Sequence, residues 1–248
     1  MYTRKGIEGS NPSLSAIALA NVPAVQETLM FALGLLSVNV GRPAPLGVWQ
    51  GETIVSGIRK YPVTSPAIAA SRTNLDGDEQ ADLSVHGGED KAVYAYPADN
   101  WPWWQSTAGF QASAASFGEN LTTRGGDEAS VRIGNIFAWG EIRLEVSQPR
   151  SPCFKFAMLT RREDLGARMT MSARTGWYCR VLQTGSAPTN GQLRRLSTNE
   201  QAPSVRDSFV ALFHPRVAGD VIERTLAAPA LSAVWRRGIL KRLQAAGS

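Results

Sequence analysis

The sequence predicts a mainly β fold with a few inserted helices, followed by a small helical module. Three observations carry that expectation. From Leu35 onward the short apolar runs either alternate at a period of two or are rich in β-branched and aromatic residues, as half-buried strands require. Two segments among them carry charge or apolar residues at helical spacing instead. After a polar stretch, three short helical patterns follow one another, punctuated by proline and glycine. A chain of 248 residues with 43% apolar content is long enough to bury a large core.

Taken in order, "MYTRKGIEGSNPSLSAIALANVPAVQETL" has no clear period. It also lacks the charged flank, apolar core and small-residue cleavage site of a secretory signal. Its "EGSNPSLSA" reads as the translated end of a transfer-RNA gene, so residues 1–30 are expected to be a disordered or mis-assigned extension, with Met30 as the natural start. "LLSVNVG" is a strand, and "LGVWQGETIVSGIRK" is a hairpin around "QGE". "KAVYAYP" is a further strand, and "PADNWPWWQSTAG" is a helix entered by Pro97. "EIRLEVSQ" alternates without error, with Ile142, Leu144 and Val146 on one face and Glu141, Arg143 and Glu145 on the other. "LTRREDLGARMTMSAR" reads as one charged helix, and "GWYCRVL" as an apolar strand. "SAPTNGQLRRLSTNEQAP" turns polar, which suggests a boundary or linker and divides a main domain, 31–198, from a module, 199–248. The module holds three helices delimited by Pro215, Gly219 and Pro229, with His214 at a helix end. A chain stopping near Thr198 is therefore expected to fold alone.

Composition excludes several functions. No run of about 18 apolar residues occurs, so no membrane span is expected. Cys153 and Cys179 are far apart and differ in context; they read as free thiols of a reducing compartment, and a cytoplasmic location follows. Two cysteines cannot build a structural zinc site, and with His86 and His214 as the only histidines, reactive chemistry is expected to centre on sulfur. Residues 201–248 hold seven basic and three acidic side chains, so +4 of the net +5 is C-terminal. The cluster lacks interleaved aromatics and any nucleic-acid motif, so it reads as a solvated helix face, not a nucleic-acid footprint.

Within this frame "VSQPRSPCF" stands out. It puts Cys153 after a proline at the end of a strand, flanked by Arg150 and Lys155, whose positive charge favours a thiolate. Cys179 sits inside an apolar strand, where cysteine is usually a small hydrophobe. Two loops add polar groups. "NLDGDEQADLSVHGGED" collects carboxylates, among them Asp78 and Asp82, around glycines and His86, yet it lacks the calcium-loop pattern. "FGENLTTRG" offers Glu119, Asn120 and Thr122 in a turn.

"GDEQADLSVHGGEDKAVYAYP", "FGENLTTRG", "IGNIFAWGEIRLEVSQPRSPCFKF" and "GWYCRVL" together resemble, in order and spacing, the MOSC domain proteins of the YiiM-like group, over residues 31 to about 240. The resemblance implies a β-barrel-like domain followed by a three-helix module. It further implies molybdenum cofactor binding and an oxidoreductase that reduces N-hydroxylated compounds such as hydroxylaminopurine bases. By the same resemblance Cys153 becomes the protein ligand to molybdenum, a soft donor beside the sulfurs of the pterin. Arg150, Lys155, Lys91 and Arg124 become candidates for the cofactor's phosphate. His86 becomes a proton donor or substrate contact, and Glu119 and Asn120 groups that orient the pterin or substrate. The sequence has no ferredoxin cysteine set and no dinucleotide fingerprint, so electrons are expected from a separate flavin or iron–sulfur reductase. Two other readings stay open: a sulfur carrier with a persulfide on Cys153, and a binding module that uses its basic tail.

Overall fold

The computed structural model describes residues 31–82 and 87–246, so the N-terminal extension lies outside the described residues. The strands are β1 (Ala32–Val40), β2 (Ala44–Trp49), β3 (Glu52–Ser56), β4 (Tyr61–Pro62), β5 (Ala67–Ala70), β6 (Val93–Pro97), β7 (Leu121–Arg124), β8 (Ile136–Trp139), β9 (Ile142–Pro149), β10 (Trp177–Gln183), β11 (Gly185–Pro188) and β12 (Gly191–Ser197). The helices are α1 (Trp101–Ala108), α2 (Phe154–Thr160), α3 (Asp164–Ser172), α4 (Val205–Phe213), α5 (Gly219–Ala227) and α6 (Ala233–Ala246).

Seven strands close into a barrel in the order β12, β8, β9, β10, β6, β7, β1, the last pairing back to β12 with Ala32 opposite Arg194. Closure follows from the alternation: β9 turns Ile142, Leu144 and Val146 inward and leaves Arg143 and Glu145 half-buried outside. They meet Leu33, Phe137, Trp139, Trp177, Val181 and Leu193 in one apolar core. Each such side chain contributes about 1.5–3 kcal/mol on burial. All neighbours in the ring are antiparallel except β6 and β7. A parallel pair needs a long crossover, and this one carries α1 and the "FGEN" loop across the barrel end. There a second cluster forms, with Tyr96 stacked on Phe117 (3.8 Å), Phe117 on Phe156 (5.7 Å), and Trp104, Leu165 and Met169 around them.

The "QGE" hairpin forms as expected, β2 pairing with β3 around Gln50 and Gly51, both at positive φ. Other expectations are corrected. The tryptophan-rich helix starts at Trp101 with Pro102 in its first turn, because Pro97 is still paired in β6. The charged segment forms two helices, since Arg161 adopts the left-handed conformation (φ 54) and ends α2, which starts earlier, right after Cys153. The polar stretch expected to be a linker is instead β11 and β12, and β12 closes the barrel.

The change from strands to helices falls between Ser197 and Val205, and the helices are packed onto the barrel. Val205, Phe209, Trp235 and Ile239 belong to the same core as the barrel residues. Val205 N donates to Val131 O (2.8 Å) and Ser232 N to Ser147 O (3.0 Å). Helix α4 starts with a capping box, Ser204 and Asp207 bonding each other's backbone N–H. Two tail arginines are engaged inside the module. Arg236 donates to the carbonyls of Leu226 and Ala228, and Arg242 to those of Ala211 and His214, where α5 and α4 end. His214 closes α4 and bonds the Thr170 carbonyl (3.0 Å). Among the described residues no helix is long and apolar enough to cross a membrane.

Candidate functional site

Strand β9 ends at Pro149, and Arg150 N still bonds Gly176 O (3.3 Å) before Ser151 and Pro152 carry the chain off the sheet. Cys153 follows in extended conformation (φ −134) as the N-cap of α2, its carbonyl accepting from Phe156 N (2.9 Å). The thiol is partly exposed on the wall of a cavity of about 280 Å³. Cys179, by contrast, belongs to the barrel core, 2% exposed, where burial first and then Glu145 push its thiol far above the usual range. The two cysteines differ as their sequence contexts predict.

Arg150 lines the same cavity although it is 4% exposed. Its guanidinium lies over the rings of Tyr94 (5.3 Å) and Phe156 (5.0 Å), and Nη1 points at Met169 Sδ (3.4 Å). Burial opposes its charge, but Tyr94, Tyr178, Cys153 and Glu119 favour it more in sum, so it is held above the ordinary guanidinium value. Among the described residues no carboxylate lies within ion-pairing distance of it. A buried cation without a counter-ion is costly, and such a group facing a cavity is suited to an anionic ligand. Gln148, also on the cavity wall, has a buried Oε1 with no hydrogen-bond partner among the described residues.

Lys155 and Lys91 line the cavity too, Lys155 from the first turn of α2 and Lys91 from a 3₁₀ turn, Glu89–Lys91, before β6. Burial lowers the Lys91 ammonium from its ordinary value, with Asp90 opposing. Asn120 lines the cavity as well, but its amide is already used: Oδ1 accepts from Tyr94 N (3.0 Å) and Nδ2 donates to Asn39 O (3.2 Å), tying β6 and β1 together. Glu119 stands behind the wall. Its carboxylate accepts from Ala115 N (2.8 Å), Phe117 N (3.0 Å) and Thr122 Oγ1 (2.8 Å), an arrangement that anchors the loop. Gly118 in that loop has φ 74, and a Cβ there would sit 2.6 Å from Ile58. Arg124 is not brought to the cavity. It is the exposed end of β7, with its stem over Gly34. His86 lies outside the described residues.

The structure adds residues that sequence reasoning missed or ranked low. Lys60 and Asp78 form a buried ion pair on the cavity wall. They meet because Gly57 lets its loop approach so closely that a Cβ would lie 2.1 Å from Glu79 O. Asp78 also accepts from Gly41 N (2.9 Å), and burial lowers Lys60 against the pull of Asp78. Tyr94 and Tyr178, rings 5.1 Å apart, complete the floor. Only "GDEQAD" hinted at Asp78, and nothing marked Lys60.

One thiol, several cations and two orphaned amide oxygens, those of Gln148 and Gln80, are a poor cage for a bare metal: among the described residues no three His, Cys, Asp or Glu side chains group as ligands. They suit a metal that arrives already chelated by sulfur on an anionic carrier, needing one soft protein ligand and cations for its phosphate.

Residues 82–194 match the MOSC domain family model. The chain is 39% identical over 208 residues to the uncharacterized protein YflK of Bacillus subtilis (strain 168), covering 84% of this chain and 93% of that protein. It is 37% identical over 156 residues to a protein of Gibberella moniliformis named Reductase, covering 61% of this chain and 27% of that protein. Its structure matches that of YiiM from Geobacillus stearothermophilus with a TM-score of 0.70 and 31% identity, over 85% of this chain and 99% of the other.

Proposed function

Because the chain belongs to the MOSC domain family and has a MOSC-type, molybdenum-related function, we propose that the cavity beside Cys153 takes a molybdenum cofactor and that the protein reduces N-hydroxylated small molecules there. The observation that carries this reading is one cavity that joins a partly exposed thiol to a buried guanidinium lacking a carboxylate partner among the described residues. When bound, the cofactor supplies the two-electron couple for cleaving an N–O bond. The net reaction takes R–NHOH, two electrons and two protons to R–NH₂ and water.

The chain's own residues then divide the work. Cys153 would hold the metal through sulfur, its direction set by the extended conformation at the start of α2. Arg150, Lys155 and Lys91 would hold the phosphate, the guanidinium pre-oriented over two rings. His86 is assigned proton delivery from its place in "VHGG". Electrons come from a separate flavin or iron–sulfur reductase.

Metal and pterin analysis of freshly purified protein tests this. Stoichiometric molybdenum and pterin in the wild type, with molybdenum lost in Cys153→Ala, are expected. Labile sulfane sulfur on Cys153 with no metal would replace the proposal with a sulfur carrier.

A further inference from the structure

A second hollow, about 530 Å³, opens beside the Cys153 cavity and shares Gln80, Ala81 and Lys155 with it. One side is the β2–β3 hairpin, through Ile54 and Val55; the other is Phe154 in the first turn of α2. The Trp49 ring, 5.4 Å from Phe154, braces the hairpin against the helix. The outer space is thus flanked by apolar surfaces, while its junction with the inner cavity is polar.

At that junction Gln80 has a buried Oε1 with no hydrogen-bond partner among the described residues. Its other end faces Asp78. Nε2 makes a long hydrogen bond of 3.5 Å to Asp78 Oδ2, and Asp78 is itself held by Lys60 and by Gly41 N. An ionised carboxylate only accepts, so the NH₂ end of the amide must face Asp78 and the carbonyl must face away. A buried acceptor left without a donor is unfavourable, and a ligand donor removes that cost. Gln80, which lines both hollows, therefore brings one unpaired hydrogen-bond acceptor to the border between a thiol-bearing cavity and an apolar slot.

We propose that Gln80 is the specificity-determining acceptor of the substrate subsite, selecting planar N-hydroxylated amidines and aminoheterocycles that carry an N–H beside the N–O group. The ring lies in the outer hollow against Ile54, Val55 and Phe154, the N–H is donated to Gln80 Oε1, and the N–O group faces the Cys153 cavity. This rests on the reductase reading above. It deepens that reading because a site built around a buried acceptor rejects analogues that lack the donor.

The test compares benzamidoxime with N,N-dimethylbenzamidoxime, which keeps the ring and the N–OH but has no amino N–H. Turnover is followed with reduced methyl viologen, binding by calorimetry without reductant, and molybdenum by elemental analysis, in wild type and Gln80→Met. Wild type is expected to favour benzamidoxime by at least about tenfold in kcat/KM and in Kd. Gln80→Met is expected to bring the two compounds within about threefold of each other, through KM, at unchanged molybdenum content. Equal use of the two compounds by molybdenum-loaded wild type, or discrimination that survives in Gln80→Met, overturns the subsite and leaves the reductase reading standing. Absence of molybdenum and turnover in wild type overturns the reductase reading instead, and calorimetry alone then decides whether Gln80 selects the donor.

Discussion

Replacing Arg150 by methionine separates a side chain kept for a ligand from one kept for the fold. Methionine fills much of the same space among Phe156, Tyr94 and Met169 and removes the charge together with its polar and ring contacts. Two terms oppose each other in the ligand-free protein. Losing two ring contacts costs about 1–2 kcal/mol each when they are desolvated. Relieving the desolvation of the guanidinium returns only part of that loss, because its surroundings favour the charge enough to hold it above the ordinary value. The first term is larger, so ligand-free Arg150→Met is expected to be less stable than ligand-free wild type by about 1–2 kcal/mol. At about 2–4 °C per kcal/mol for a domain of this size, Tm falls by roughly 2–8 °C. Binding is lost as well: without the guanidinium, phosphate no longer raises Tm and the molybdenum and pterin content falls. Scanning calorimetry of both ligand-free proteins, with and without phosphate, measures all of this. Phosphate that raises the Tm of Arg150→Met as much as that of wild type would show that Arg150 serves packing alone and would remove the basis for an anion site.

Three further outcomes are expected. Cys153→Ser should abolish molybdenum retention at unchanged fold, whereas Cys179→Ser should keep it and lose about 1–3 kcal/mol through a hydroxyl in an apolar core; alkylation that labels Cys179 before Cys153 at neutral pH would reverse the assignment. Ending the chain after Thr198 should give aggregated protein, because Val205, Phe209, Trp235 and Ile239 leave a shared core, and Trp235→Ala alone should cost about 3–5 kcal/mol in a single transition; a soluble, cofactor-binding truncation would restore an independent module. Burial raises the carboxyls of Glu119 and of Glu128, which accepts from Asn100 Nδ2 and Gly176 N, so above the ordinary glutamate value the folded chain binds more protons than the unfolded one, and the stability they contribute is lost as pH rises through their folded values. Tm is then expected to fall between pH 5 and 7.5, and less steeply in Glu128→Gln, so an identical slope in the variant would refute the attribution.

What was legible in the sequence depended on how local the cause was. The alternation of β9 and the proline before Cys153 are local, and both strand and partly exposed thiol were found. β12 was missed because its neighbours supply the reason for it: of "GQLRRLS" only Leu193 is fully buried, and the arginines face outward from a ring that the sequence does not announce. The break at Arg161 was missed because a non-glycine residue takes a left-handed conformation there. Glu119 read as a ligand candidate because a carboxylate in a turn looks available until its three donors are seen. Lys60 and Asp78 come from separate loops, and only their folded meeting makes them a pair.

The pairing of β12 with β1 also sets a schedule for synthesis. Ala32 cannot find its partner until Arg194 has left the ribosome, so most of the barrel emerges as an open sheet whose first strand keeps a free edge. Folding that waits for so distant a contact is slow, and the waiting chain is the form most exposed to aggregation. Variants that slow translation or weaken β12, such as a proline at Leu193, would therefore lower the yield of folded protein before they changed any property of the molecules that succeed.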